Sequence, residues 1–166
     1  MVMGKWARYS TPYAWIGGGC TLVAALIVAI RVGSPLPALH RLDVGDVVLP
    51  LWLMGILWLV GMFAVGWSFG CLLGMRPCSP VQDVMKYRGS TCVVVSVVFA
   101  LLWYELLLCA LSLLFSWFCL AVAVAMAALA ALSWWRLCRP VACITVGFAA
   151  WLVWLLLLQL GVMLRA

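Results

Sequence analysis

The sequence predicts an all-α integral membrane protein, a bundle of five transmembrane helices formed by a single domain over residues 1–166. The first observation behind this fold class is the amino-acid composition: 69% of residues are hydrophobic and only 8% are charged. So few charged residues cannot cover the surface of a protein that faces water. The second is the presence of apolar runs that reach the roughly 20 residues needed to cross a bilayer core. The third is the placement of basic residues at the ends of these runs, which indicates membrane topology and excludes a nucleic-acid partner.

The first two spans are predicted over residues 13–31 and 47–75. No small-residue cleavage site follows the first apolar run, so we interpret it as a retained span and not as a cleaved signal peptide. The loop between them, residues 32–46, contains two prolines and is the longest polar loop in the sequence. We expect it to cover one mouth of the bundle.

The third and fourth spans are predicted from one long apolar run, residues 90–135, in which Glu105 is the only charged residue. As one helix this run would be about 69 Å long, more than one span can absorb. We therefore place spans at 91–115 and 117–135 with a turn near 112–117, and keep four spans with a long tilted third helix as the alternative. The fifth span, 140–164, begins at a proline.

Charge sets the predicted orientation. The N-terminus, the second loop and the fourth loop carry two, three and two Lys or Arg residues, against three in total on the other side. The positive-inside rule then places the N-terminus in the cytoplasm, and we expect a bacterial cell membrane. No repeat relates the two halves of the chain, so an inverted-repeat transporter gains no support.

Tryptophan is unusually frequent, with 11 residues in 166. Those at predicted helix ends, including Trp117, Trp134 and Trp135, fit the interfacial belt of membrane proteins. Those farther within spans need either a partner for the indole N–H or a polar cavity, with lipid-facing side chains as the alternative. Trp52 and Trp58 are six residues apart and are expected to bracket the mouth and interior of one cavity.

Glu105 is the only ionisable side chain predicted deep in a span, which often marks a pathway or a binding site. Cys109 lies four residues later on the same helical face. A carboxyl hydrogen-bonded to a neighbouring helix through Gln159 is the structural alternative. A small proton-coupled transporter that uses Glu105 as its proton carrier is the alternative function.

Glycines at successive i+4 positions on the second span, namely Gly66, Gly70 and Gly74, predict a helix-packing stripe, with a homodimer face as the second interpretation. Other chemistries are discounted. The eight cysteines include no Cys-x-x-Cys, and His40 has no second histidine to complete a metal site, so no metal and no required cofactor are expected. No catalytic residues can be named.

The start of the second span carries the most specific motif. Trp52 is followed by Gly55 after three residues, Trp58 after six and Gly66 after fourteen, with Pro50 before it. This spacing resembles the signature of the tryptophan-rich sensory protein family, also called the translocator protein or peripheral benzodiazepine receptor family. Five spans, a long first loop and a Phe-Ala pair in the last span are similar too, so the resemblance covers most of the chain.

The resemblance implies a membrane receptor for tetrapyrroles such as porphyrin or haem, or for similar flat apolar ligands, in the bilayer and as a homodimer. It also implies porphyrin transport or light-dependent porphyrin degradation. Degradation, implied by the resemblance alone, is the only reason to expect an enzyme. The implied ligand-binding residues are Trp52, Trp58, Glu105, Cys109, Phe148, Ala149 and Trp151, with His40 and Arg41 of the first loop meeting the ligand's carboxylates. Glu105 and Cys109 replace the family's Gln and Asn, and Ile144 replaces one of its two porphyrin-associated tryptophans, which Trp151 partly substitutes. A structural or assembly subunit that binds no ligand is the third functional hypothesis.

Overall fold

The computed structural model describes residues 3–32, 51–108 and 113–164. These residues form five α-helices and no strand: α1 Met3–Val32, α2 Leu51–Leu73, α3 Pro80–Leu108, α4 Leu113–Trp135 and α5 Arg139–Met163. Each helix contains a stretch that is long and apolar enough to cross a membrane. The prediction of an all-α integral membrane protein with five spans is therefore confirmed.

The long apolar run divides into two helices, but earlier than predicted. Helix α3 ends at Leu108 and α4 begins at Leu113, so Trp117, expected at the turn, lies within α4. Helix α3 also begins at Pro80, eleven residues before the predicted start of the third span at residue 91. Most of the predicted second loop is therefore helix.

Local chemistry explains why α3 begins where it does. The Ser79 hydroxyl accepts a hydrogen bond from the backbone N–H of Gln82 at 3.3 Å, which is the geometry of a helix N-cap. Pro80 occupies the first helical position, and Asp83 lies in the first turn, where an acidic side chain complements the helix dipole. Lys86 points back and donates to the carbonyl of Met75 at 2.8 Å, beyond the end of α2. These contacts hold α3 to α2 at the connection.

The helices form a closed ring in the order α1, α2, α5, α4, α3. The most extensive contacts join α1 to α2 and α3 to α4, and α5 packs between α2 and α4. Helices that follow one another in the chain are antiparallel: Tyr13 and Thr21 of α1 meet Gly70 and Met62 of α2, and Gly89 and Ser96 of α3 meet Trp134 and Ala123 of α4. Helices α1 and α3, which meet where the ring closes, run parallel. Helices α1, α3 and α5 thus end where α2 and α4 begin, and we call this side of the bundle the Arg31 end.

Glycines allow α1 and α2 to approach closely. The backbone of Gly66 lies against Gly17 and Thr21, and that of Gly70 lies against Tyr13. The Thr21 hydroxyl donates across the contact to the Met62 carbonyl at 2.9 Å. Gly66 and Gly70 of the predicted glycine stripe form a packing face, as predicted, and α1 occupies it, so these two glycines are not free to form a homodimer face.

Small residues and one buried tryptophan define the contact between α3 and α4. Ser96 is fully buried and donates to the Ala123 carbonyl at 2.7 Å. The indole ring of Trp134 lies directly against Gly89, where no larger residue fits. Trp134 is 0% exposed, so its assignment to the interfacial belt is wrong, whereas Trp135 is 47% exposed and fits that belt.

Candidate functional site

Three aromatic residues meet near the Arg31 end, and we call them the aromatic cluster: Trp58 of α2 with Trp103 and Tyr104 of α3. The Trp58 ring stacks on Tyr104 with centroids 5.6 Å apart and planes 18° apart. It lies 5.5 Å from Trp103 in a tilted arrangement. Trp58 is seven residues from the start of α2 and Trp103 five from the end of α3, about 10 Å and 8 Å along the axes. The antiparallel helices therefore bring these rings to the same depth.

The buried N–H of Trp103 is held by a polar network. It donates to the side-chain oxygen of Gln159 on α5 at 2.7 Å. The amide nitrogen of Gln159 in turn donates to the Leu113 carbonyl at 3.0 Å and to the Ser116 hydroxyl at 3.2 Å, both on α4. Gln159 thus joins α3, α4 and α5, and its side-chain partner on α3 is Trp103, not Glu105 as the sequence suggested.

The N–H of Trp58 has a different environment. The side chain is 6% exposed, yet its Nε1 has no hydrogen-bond partner within the described part of the chain. A buried donor left without an acceptor costs about 1–3 kcal/mol. A ligand that brings an acceptor atom to this N–H would remove that cost, so Trp58 offers an unused donor within a group of packed aromatic rings.

The predicted residues of the last helix also face α2. Phe148 is buried, and its ring packs on Gly61, one helical turn deeper than Trp58. Trp151 lies beside the same glycine and stacks on Trp154 with centroids 4.9 Å apart. Ala149 is partly buried against the same core. The structure therefore places Phe148 and Trp151 next to the aromatic cluster, although Trp58 makes its ring contacts with α3.

Glu105 lies elsewhere than predicted. It is three residues from the end of α3, and its carboxylate pairs with the Arg31 guanidinium at 3.6 Å. The Glu105 side chain is 33% exposed. Because α3 ends at Leu108, seven residues before the predicted end of the third span at residue 115, this carboxyl lies near the Arg31 end of the helix and not at its middle. The prediction that it lies deep in a span is therefore wrong, because Glu105 is within one turn of the end of α3.

Several predicted contacts lie outside the described residues: His40, Arg41 and Cys109. Trp52 belongs to the first turn of α2, but its side chain is also outside the description. Conversely, Tyr104 and Arg31 were not predicted as site residues. The only sequence feature that pointed to them is that Tyr104 precedes Glu105, the partner of Arg31. This feature becomes informative only when the end of α3 is known.

Among the described residues, no three His, Cys, Asp or Glu side chains lie together so as to hold a metal ion. No family model matches the chain, and neither a curated protein nor a solved structure matches it. Within the described part of the chain, this end of the bundle presents aromatic rings, indole N–H groups and the ion pair of Arg31 with Glu105.

The ion pair allows a test of the transporter hypothesis. We expect Glu105→Gln to lower stability by less than about 1 kcal/mol, because exposed ion pairs contribute little. Thermal unfolding in detergent measures this, and proton flux in proteoliposomes measures transport. Wild-type proton-coupled flux that disappears in a folded Glu105→Gln variant would favour the transporter over a ligand-binding protein.

Proposed function

We propose that the protein binds a flat, conjugated, largely apolar ligand of the tetrapyrrole class inside the membrane, at the aromatic cluster. The observation that carries the proposal is Trp58, whose ring stacks on Tyr104 while its buried N–H has no acceptor in the described chain. Aromatic side chains bind flat rings by offset stacking, and a few placed polar groups then fix the orientation.

A porphyrin has the properties that this environment favours. Its macrocycle is flat and apolar, so it partitions into a helix bundle, and its faces can stack on indole and phenol rings. The imine nitrogens at its centre are acceptors, which an indole N–H such as that of Trp58 can approach from the ring face. The Gln159 network holds Trp103 in place, so one wall of the site is already organised before a ligand arrives.

The sequence motif supports the same class of ligand. Trp58 is the second tryptophan of the spacing that resembles the tryptophan-rich sensory protein family, where porphyrin chemistry is associated with this position. Transport of the porphyrin and its light-dependent degradation both require binding first. We therefore propose binding as the shared step, with a homodimer as the expected assembly.

The orientation follows from charge. With the N-terminus in the cytoplasm, the Arg31 end faces the outside of the cell membrane. The described basic residues at the opposite end then contact the cytoplasmic surface: Arg76, Lys86, Arg88, Arg136 and Arg139. In this orientation the aromatic cluster lies in the outer half of the bilayer, where a ligand that arrives from outside reaches it first.

Titration of protoporphyrin IX into the purified protein, followed by the Soret band, tests the proposal. We expect Trp58→Phe to raise the Kd about tenfold, or about 1.4 kcal/mol, because phenylalanine has no N–H and a smaller ring face. Trp135→Phe is the matched control, since Trp135 is exposed and lies at the opposite end of the bundle, and we expect no change there.

Two results would count against the proposal. A wild-type protein that leaves the Soret band unchanged up to the solubility limit of the porphyrin does not bind it specifically. Equal loss of affinity in Trp58→Phe and Trp135→Phe would show that the porphyrin contacts the outer surface and not the aromatic cluster.

A further inference from the structure

We propose that Arg31 is the anchor for the carboxylate groups of the ligand, and that Glu105 is the counter-ion it exchanges when the ligand binds. This inference rests on the function proposed above and adds the selection of acidic over neutral tetrapyrroles. The sequence predicts that His40 and Arg41 of the first loop recognise the carboxylates. The structure provides a cation at the same end of the bundle as the aromatic cluster, paired with the residue that follows Tyr104 in the chain.

Arg31 is placed at the right end of the molecule. It lies in the last turn of α1, and its partner Glu105 directly follows Trp103 and Tyr104 on α3. Because each helical residue advances about 1.5 Å, the guanidinium lies within about one turn of the depth of the stacked rings. Every other Lys or Arg whose side chain the structure describes lies at the opposite end of the bundle.

The bond to Glu105 leaves Arg31 able to change partner. The atoms are 3.6 Å apart, longer than the roughly 2.7–2.9 Å of a charge-assisted hydrogen bond. The arginine side chain is 77% exposed, and such surface pairs contribute about 0–1 kcal/mol. A guanidinium has five N–H donors in a planar fork, which a free carboxylate can engage through two parallel bonds. A ligand carboxylate therefore offers a better partner than Glu105.

Depth provides the second argument. A carboxylate is costly to bury in hydrocarbon, so an acidic porphyrin must keep its acid groups at the membrane boundary while its ring enters the apolar bundle. Arg31 at the helix end and the buried ring of Trp58 deeper in α2 match these two parts of the ligand, the acid groups and the apolar ring. The arrangement orients the ring along the membrane normal with its acid groups outward.

A comparison of protoporphyrin IX with its dimethyl ester tests this inference, because the ester keeps the ring and removes the charges. We expect Arg31→Gln to raise the Kd of the diacid about tenfold and to leave that of the ester unchanged. Glu105→Gln removes the competing carboxylate, so the diacid should bind about threefold more tightly. Arg88→Gln, an exposed arginine at the opposite end, is the control and should change neither Kd.

The charge of Arg31 can be tested separately from its shape. Arg31→Lys should recover part of the diacid affinity that Arg31→Gln loses, because the cation returns without the planar fork. In the wild type, added salt should weaken binding of the diacid and not of the ester. This salt comparison needs no variant, so it holds even if a substitution at Arg31 lowers the yield of folded protein.

The outcomes separate this inference from the proposed function. Failure of the wild type to bind either porphyrin would overturn the proposed function and the inference together. Binding of both porphyrins with no selective effect of Arg31→Gln or of salt would overturn the inference alone and leave the aromatic cluster as the site. An equal loss for diacid and ester in Arg31→Gln would also contradict it, since a carboxylate anchor cannot act on the ester.

Discussion

Replacing Gly70 by alanine is expected to destabilise the protein by about 3 kcal/mol, which corresponds to a fall in Tm of roughly 6–12 °C. A Cβ at this position would lie 2.7 Å from the carbonyl carbon of Tyr13 and 2.8 Å from the Cα of Ala14. These are backbone atoms of α1, which cannot rotate aside as a side chain can. The two helices would have to separate, and the Thr21 bond to Met62 would be strained with them.

The same substitution at Gly55 is the matched control. Gly55 is on the same helix, but a Cβ there would meet no heavy atom within 4 Å. Alanine is the better helix former by about 1 kcal/mol, so Gly55→Ala should leave Tm unchanged or raise it slightly. Thermal unfolding in detergent, followed by circular dichroism, compares the two. An unchanged Tm in Gly70→Ala would contradict the close contact of α1 with α2.

Replacing Gln159 by leucine is expected to cost about 3 kcal/mol. Leucine keeps a similar volume but can neither accept from Trp103 nor donate to the Leu113 carbonyl and the Ser116 hydroxyl. A buried donor left without a partner costs about 1–3 kcal/mol, and here helices α3, α4 and α5 lose a shared connection. We also expect weaker porphyrin binding, since Trp103 loses its fixed position in the aromatic cluster.

Two comparisons make this prediction specific. Gln82→Leu removes an exposed contact, a bond from the Cys78 N–H at 3.0 Å, and should cost less than about 1 kcal/mol. In a double-mutant cycle, Trp103→Phe and Gln159→Leu should be less than additive, because both remove the same hydrogen bond. Fully additive losses would show that the two side chains act independently.

The number of spans and the packing role of the glycines could be predicted from sequence, because both depend on local composition. Apolar length determines whether a helix crosses the bilayer, and glycines one turn apart leave a flat face whatever their partner is. The sequence does not predict which helix packs on that face; in the structure this helix is α1. The charges of Lys86 and Arg88 predict a loop and so place the start of α3 too late, although Ser79, Pro80 and Asp83 signal a helix start.

The candidate site was less predictable, because its residues come from helices far apart in the sequence. Trp58 could be selected from its motif, but its neighbours on α3 depend on the register of α3 against α2. No local sequence pattern specifies that register, and none shows that α3 ends at Leu108, which places Glu105 at the Arg31 end. The bond between Trp103 and Gln159 joins residues 56 positions apart, which no local pattern specifies.

The position of α5 in the ring bears on how the protein matures in the membrane. Helices α1 with α2 and α3 with α4 are antiparallel hairpins that can form as soon as each pair has been synthesised. Until α5 enters between α2 and α4, the indole N–H of Trp103 has no Gln159 to accept it, and an unsatisfied polar group in lipid costs several kcal/mol. A chain interrupted after α4 would therefore expose to lipid the faces of α2 and α4 that α5 covers. Membrane proteases could distinguish such a fragment from the finished bundle by this exposed surface.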